Sequence, residues 1–261
     1  MSQDRGFGVA AGLDPEVATP LAARCAELGY TSMWSNDHPA ASGLETLADF
    51  AQGSGDVELG VAVIALDRFS PAEINTKIDE CGLDRDRLLI GVGAGFSKKP
   101  LTRMREAHDE LREAIPGVRL ILASMGPKMC ALAGSDYDGA FFNWMTPGFA
   151  AGAREKVVAG ARDAGRDAPP IYGYVRTSVG ADAETRLAKE EGFYRDLHDG
   201  YRNHFERLAE PPGTVGVAAE DPGDADAALN AYEALGTVVV RGLASASFEA
   251  MDRVATAAAP R

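Results

Sequence analysis

Eight short apolar runs, each followed by a helical stretch, limit the folds open to this chain more than any single motif does. The spacing predicts strands at 7–12, 31–38, 57–66, 87–93, 118–124, 138–144, 170–180 and 237–243. Helices are expected at 15–30, 44–54, 71–81, 100–115, 127–134, 149–165, 181–209, about 223–235 and about 247–258. The run VELGVAVIAL is almost continuously apolar, as a strand covered on both faces must be. Asp14 and Pro15 form a helix start, and Gly29 marks its end. In PLTRMREAHDELREAI, apolar positions from Leu101 to Ile115 recur at helical spacing. Eight βα units in 261 residues are the arithmetic of an α/β fold, the TIM (β/α)8 barrel. An open doubly wound sheet competes with it, but the first strand–turn–helix lacks a G-x-G-x-x-G loop. No linker interrupts the alternation, so residues 1–261 read as a single domain.

Composition removes several functions. With 46% hydrophobic residues the chain can bury one large core. A net charge of -13 argues against nucleic acid, which needs a basic face, and against anionic membranes. No run of about 18 apolar residues is present to span a bilayer. The N-terminus lacks a basic start followed by an apolar block, so a cytoplasmic location is expected. Cys25, Cys81 and Cys130 show no paired spacing, so neither disulfide nor metal site is expected.

Barrels of this type bind ligands at the C-terminal ends of their strands. In LLIGVGAGFSKKP, Gly91, Gly93 and Gly95 lack Cβ atoms at one such end, and Gly126 does so in ASMGP. A flat or phosphorylated ligand gains close access to backbone there. Asp37 and His38 end the second strand and Arg176 lies near the end of the seventh.

Four stretches then resemble a family in order and spacing: AELGYTSMWSNDH, ELGVAVIALDRFSP, RLLIGVGAGFSKKPLTRMREA and ILASMGPKMCALAGSDYDGAFFNW. They are similar to the bacterial luciferase-like superfamily, most of all its coenzyme F420 (deazaflavin) branch, typified by methylene-tetrahydromethanopterin reductase. The resemblance covers nearly the whole chain. It implies a TIM-like barrel, usually a homodimer, with F420 or, in the oxygen-using branch, FMN in the barrel mouth. It implies a bulge with a non-prolyl cis peptide at Ala62 and Val63, against the cofactor ring. It further implies that Gly93, Ala94, Gly95 and Phe96 lie near the ring and its side chain. Ser124, Met125, Gly126, Pro127 and Lys128 match a phosphate-side loop. Asp37 and His38 match a pair beside the deazaflavin, the histidine being catalytic in the branch's sugar-phosphate dehydrogenase. That dehydrogenase carries a glutamate and a tryptophan where this chain has Phe96 and Ser42, so glucose-6-phosphate is not the expected substrate. The segment between strands four and five is short, so a more open mouth, or one completed by a partner subunit, is expected.

Each candidate has a plainer reading beside the functional one. His38 is either the proton donor and acceptor of the reaction or a hydrogen-bonded strand-end residue. Asp37 orients it, binds ligand, or caps the following turn. Arg176 binds a substrate carboxylate or makes an outward salt bridge. Trp34 and Trp144 pack on substrate or belong to the core. His108, His198 and His204 read as surface or stripe residues. The leading functional reading is an F420-dependent reductase, or a dehydrogenase in reverse, acting on an activated C=C or C=N bond of a small molecule such as a biosynthetic intermediate. The alternatives are an FMN-dependent monooxygenase and a barrel that binds flavin, or nothing, without catalysis.

Overall fold

The structure is a computed structural model and describes residues 3–261. The elements run β1 (Asp4–Val9), α1 (Pro15–Glu27), β2 (Ser32–Ser35), α2 (Gly43–Ala51), β3 (Glu58–Ala65), α3 (Pro71–Glu80), β4 (Leu88–Gly93) and α4 (Pro100–Ala114). They continue with β5 (Arg119–Ala123), α5 (Pro127–Asp136), β6 (Gly139–Asn143), α6 (Pro147–Asp163), β7 (Ile171–Val179), α7 (Ala183–Leu197), α8 (Asp199–Leu208), β8 (Val217–Ala219), α9 (Pro222–Asn230), β9 (Thr237–Gly242) and α10 (Phe248–Ala257). Strands β1 to β7 pair in chain order, and β9 pairs with both β7 and β1. All these pairings are parallel, so eight strands close into a TIM barrel.

The sequence expectation of eight barrel strands holds, although β1 lies three residues earlier and β2 ends three residues sooner than expected, and two larger details differ. Strand β8 was not anticipated. It is three residues long and pairs only with the end of β7, outside the ring. Such a short strand in GTVGVAAED gives no periodic signal. The single helix expected over 181–209 is two helices. His198 between them is extended at φ -168°, and its Nδ1 accepts from Gly200 N at 2.9 Å, capping α8.

One core lies between the sheet and the helices and a smaller one fills the barrel. Inside the barrel, Trp34 packs on Phe141 and Tyr172 at 5.0 and 5.2 Å between ring centroids, and Tyr174 packs on Phe141. The barrel is a packed core with chemistry confined to its rim, as side-chain layers in such barrels require. A third cluster, around Trp144, Leu187 and Phe205, sits above the barrel under α7 and α8.

Candidate active site at the barrel mouth

After β2, the chain turns back on itself through a bridge between His38 and Ala41. Asp37 holds this turn. Its Oδ1 accepts from Gly43 N at 3.1 Å, at the first turn of α2, and its Oδ2 lies 3.2 Å from Arg68 of the β3–α3 loop. Burial raises the Asp37 pKa, opposed by the Gly43 amide and the Arg68 guanidinium. Asp37 therefore orients loop and helix, and makes no bond to the imidazole. His38 Nδ1 instead accepts from Ala40 N at 3.3 Å. An accepting Nδ1 puts the proton of the neutral ring on Nε2. That N–H is available to a ligand atom.

On β3 the Ala62–Val63 peptide is cis, and the register with β4 shifts between Val61 and Ile64. The glycines of β4 answer to this bulge. A Cβ on Gly91 would lie 2.4 Å from the Val61 carbonyl oxygen. A Cβ on Gly93 would touch Val63 and Ala123 at 3.2 and 3.5 Å. Gly95 has φ +58°, and a Cβ there would lie 1.8 Å from Asp67, whose carboxylate accepts from Phe96 N at 2.9 Å. The space expected for a ligand at Gly91 and Gly95 is thus taken by the protein itself. Ala94 is buried, whereas Phe96 is 73% exposed with its ring centre 5.3 Å from that of His198, edge to face.

After β5, Ser124 is buried and its hydroxyl donates to the carbonyls of Leu122 at 3.1 Å and Met129 at 3.4 Å. It is consumed by local structure. Gly126 is different: it is the N-cap of α5, no side chain caps that helix, and a Cβ there would meet nothing within 4 Å. Met125 is half-buried, Pro127 occupies the first turn and Lys128 is exposed beside it. Open amides at a helix start, with a lysine nearby, suit an anion.

The opposite arc is built from arginine and aromatic rings. Along β7, Tyr172, Tyr174 and Arg176 share the inward face, because strand side chains alternate. Along β9, Val239 and Arg241 do the same, and Arg176 and Arg241 are register partners. The Arg176 guanidinium stacks 4.2 Å over Trp144 and 5.0 Å from the Tyr194 ring centre, and it donates to Asn143 Oδ1. It is 2% exposed, so the outward salt bridge is excluded. Trp144 is buried with a left-handed backbone, φ +53°. Its carbonyl accepts from His204 Nε2 at 2.6 Å. His204 is therefore a buried support, and burial lowers its pKa. Trp34, by contrast, is fully buried deep in the barrel, its indole N–H bonded to Ser32 Oγ at 2.8 Å.

Helices α7 and α8 lie across this arc. Tyr194 of α7 packs on Trp144 at 5.2 Å, Tyr201 of α8 accepts from Asn143 Nδ2 at 3.1 Å, and His198 reaches Phe96. Buried Glu191 anchors the cover by accepting from Val215 N at 3.0 Å and from Arg195. The segment after β7, rather than one between β4 and β5, supplies a cover over the arginine arc.

Residues 112–255 match the family described as luciferase-like monooxygenase. The chain belongs to this family. The luciferase-like barrel is also recovered among solved structures. An F420-dependent secondary alcohol dehydrogenase, in complex with an F420–acetone adduct, superposes with a TM-score of 0.72 at 18% identity, covering 99% of both chains. The coenzyme F420-dependent tetrahydromethanopterin reductase from Methanopyrus kandleri gives 0.70 at 16% identity, covering 98% of both. The oxygenating constituent of 3,6-diketocamphane monooxygenase from Pseudomonas putida, in complex with FMN, gives 0.63 at 13% identity, covering 99% of this chain and 98% of that one. No curated protein matches by sequence. At these identities the likeness speaks for the luciferase-like fold. The sequence reading gave no role to several residues of the luciferase-like mouth: Arg68 behind Asp37, Asp67 behind Phe96, and Tyr174, Tyr194 and Tyr201 around Arg176. Arg241 was legible as a rim residue, a lone charge at the end of the apolar run TVVVRGL, but its place beside Arg176 was not.

Proposed function

We propose that this luciferase-like protein is an F420-dependent oxidoreductase. It moves a hydride between the reduced deazaflavin and an activated C=C or C=N bond of a small molecule. One arrangement carries the reading. Val63, Gly93 and Ala123 present small apolar surface on neighbouring strands, and the uncapped start of α5 follows directly after β5. A flat ring and a phosphate of one molecule fit this order. Ala62, Val63, Gly93 and Ala94 would face the ring, and Gly126, Pro127 and Lys128 would hold the phosphate side. When bound, reduced F420 supplies a hydride, two electrons at once.

The protein's own part is positioning and proton control. His38 Nε2–H donates a hydrogen bond to the heteroatom that gains charge. Full proton transfer requires the imidazolium, which gives up the bond from Ala40 N. Asp37 and Arg68 keep the turn that carries His38 in place. The α7–α8 cover shields Arg176 and Trp144 from solvent. A homodimer in the cytoplasm belongs to the same proposal, with the solution mass reading the first part.

Fluorescence of the buried Trp34 and Trp144 provides the test, in parallel titrations of apo protein with F420 and FMN. Tight F420 binding with weak FMN binding is the expected result. The cover itself favours a second reading, an FMN-dependent monooxygenase, since oxygen chemistry needs a closed, dry site. Preference for FMN would select it, and binding of neither cofactor would sink both.

A further inference from the structure

The arginine arc has a charge problem. Arg176 and Arg241 are 2% and 8% exposed, adjacent in register and of like sign. Among the described residues, neither has a carboxylate within 4 Å. Elsewhere this acidic chain pairs its buried arginine: Arg5 lies 2.6 Å from Asp226. Aromatic faces satisfy part of the arc, because a guanidinium stacks well on rings. Stacking leaves the in-plane N–H groups free, however. Arg176 Nε is buried without an acceptor, and Arg241 makes no side-chain hydrogen bond among the described residues. The Tyr174 hydroxyl, also buried and unpartnered, belongs to a ring lying 5.4 and 6.0 Å from the two guanidinium carbons. Three neighbouring side chains thus carry donors that lack an acceptor. A cleft of about 260 Å³, lined by Ala10, Gly12, Glu190, Arg241 and Gly242, opens Arg241 to solvent.

We infer that Arg176, Arg241 and Tyr174 form a subsite for an oxyanion of the substrate, a carboxylate or a phosphate, so that the protein acts on small organic anions. The inference rests on the mouth being the reaction site and deepens that reading by naming the substrate class. A guanidinium presents parallel donors that match such a group. The Tyr174 hydroxyl adds a third donor. Glu190, at the cleft wall, lies more than 4 Å from Arg241, and its charge favours release of an anionic product. The subsite is separate from the start of α5, since β6 and β7 stand between β5 and β9 in the barrel.

Calorimetric titration of the protein with benzoate, inorganic phosphate and benzyl alcohol tests the subsite, first alone and then saturated with F420. Saturable binding of benzoate or phosphate is expected, with none of benzyl alcohol. The variant R241M, at the cleft edge, should lose at least about tenfold in anion affinity, about 1.4 kcal/mol, while its F420 affinity stays within about twofold. R241K should recover part of the loss, because charge returns without the planar fork. Far-UV circular dichroism and melting confirm that both variants fold, and R176M is the second probe if either does not. Failure of both anions to bind, or equal binding by wild type and R241M, overturns the inference. Competition between F420 and the anion also overturns it, since the arginines would then hold the cofactor. A protein that binds neither F420 nor FMN but still binds benzoate through Arg241 breaks the cofactor reading and leaves the anion subsite standing.

Discussion

The two sides of the barrel mouth use opposite means. On the β3–β5 side the residues are small, and much of the room their size creates is filled by neighbouring backbone: the β3 bulge occupies the space beside Gly91, and Asp67 that beside Gly95. On the β7–β9 side the residues are large and charged, and their donors stay unmatched although rings and two helices cover them. Glycine at a strand end therefore signals closeness of some kind, and the nearest occupant is often the protein. A buried cation without a carboxylate partner is a stronger sign of a ligand, because stacking and one amide offset only part of its desolvation.

The largest expected effect separates chemistry from packing on the small-residue side. H38A should lower turnover by about 10²- to 10⁴-fold, the usual contribution of a positioned proton donor, with melting unchanged within a few degrees. Normal turnover would make His38 a turn residue. Next, G91A should cost about 1–3 kcal/mol through the clash with the Val61 carbonyl, a fall of several degrees in a thermal melt. If G91A melts like wild type, the room there is real and the contrast between the two sides fails.

G126D sharpens the comparison. Asp is a good N-cap and its side chain meets open space, so the fold should hold. The carboxylate would occupy the place proposed for the cofactor's phosphate, so F420 or FMN affinity should drop about tenfold in the fluorescence titration. Unchanged affinity would move the phosphate elsewhere. The smallest effect lies on the arginine side. Burial depresses the His204 pKa in the fold, so the unfolded chain takes up that proton more readily. Stability should fall as pH drops below about 6.5, and H204N should flatten that slope in chemical denaturation. An unchanged slope would show that the bond to the Trp144 carbonyl does not depend on the neutral ring.

Much of the fold was legible beforehand. Apolar runs of strand length alternate with capped helices, and each observed barrel strand lies within or close to its expected span. The break at His198 and the strand Val217–Ala219 were not legible, because one rests on a single histidine capping its successor and the other on three residues borrowing an edge of β7. In the candidate site, Asp37 and His38 stand where the sequence put them, on the rim after β2. Their partners, Arg68 and Ala40, emerge only from the way the loops fold back. Trp34 and Trp144 looked alike as aromatic residues on barrel strands, yet one faces the packed interior and the other lies under the cover.

By itself the sequence determined the alternation, hence the barrel and the rim at which its chemistry gathers, because hydrophobic period and helix caps are local properties. The tertiary structure alone decided that Arg176 stands beside Arg241, that β4's glycines serve the β3 bulge, and that α7 and α8 close the mouth. Each of these depends on the register at which the strands pair and the ring closes. Register joins residues far apart in the chain through space, and local periodicity carries no record of it.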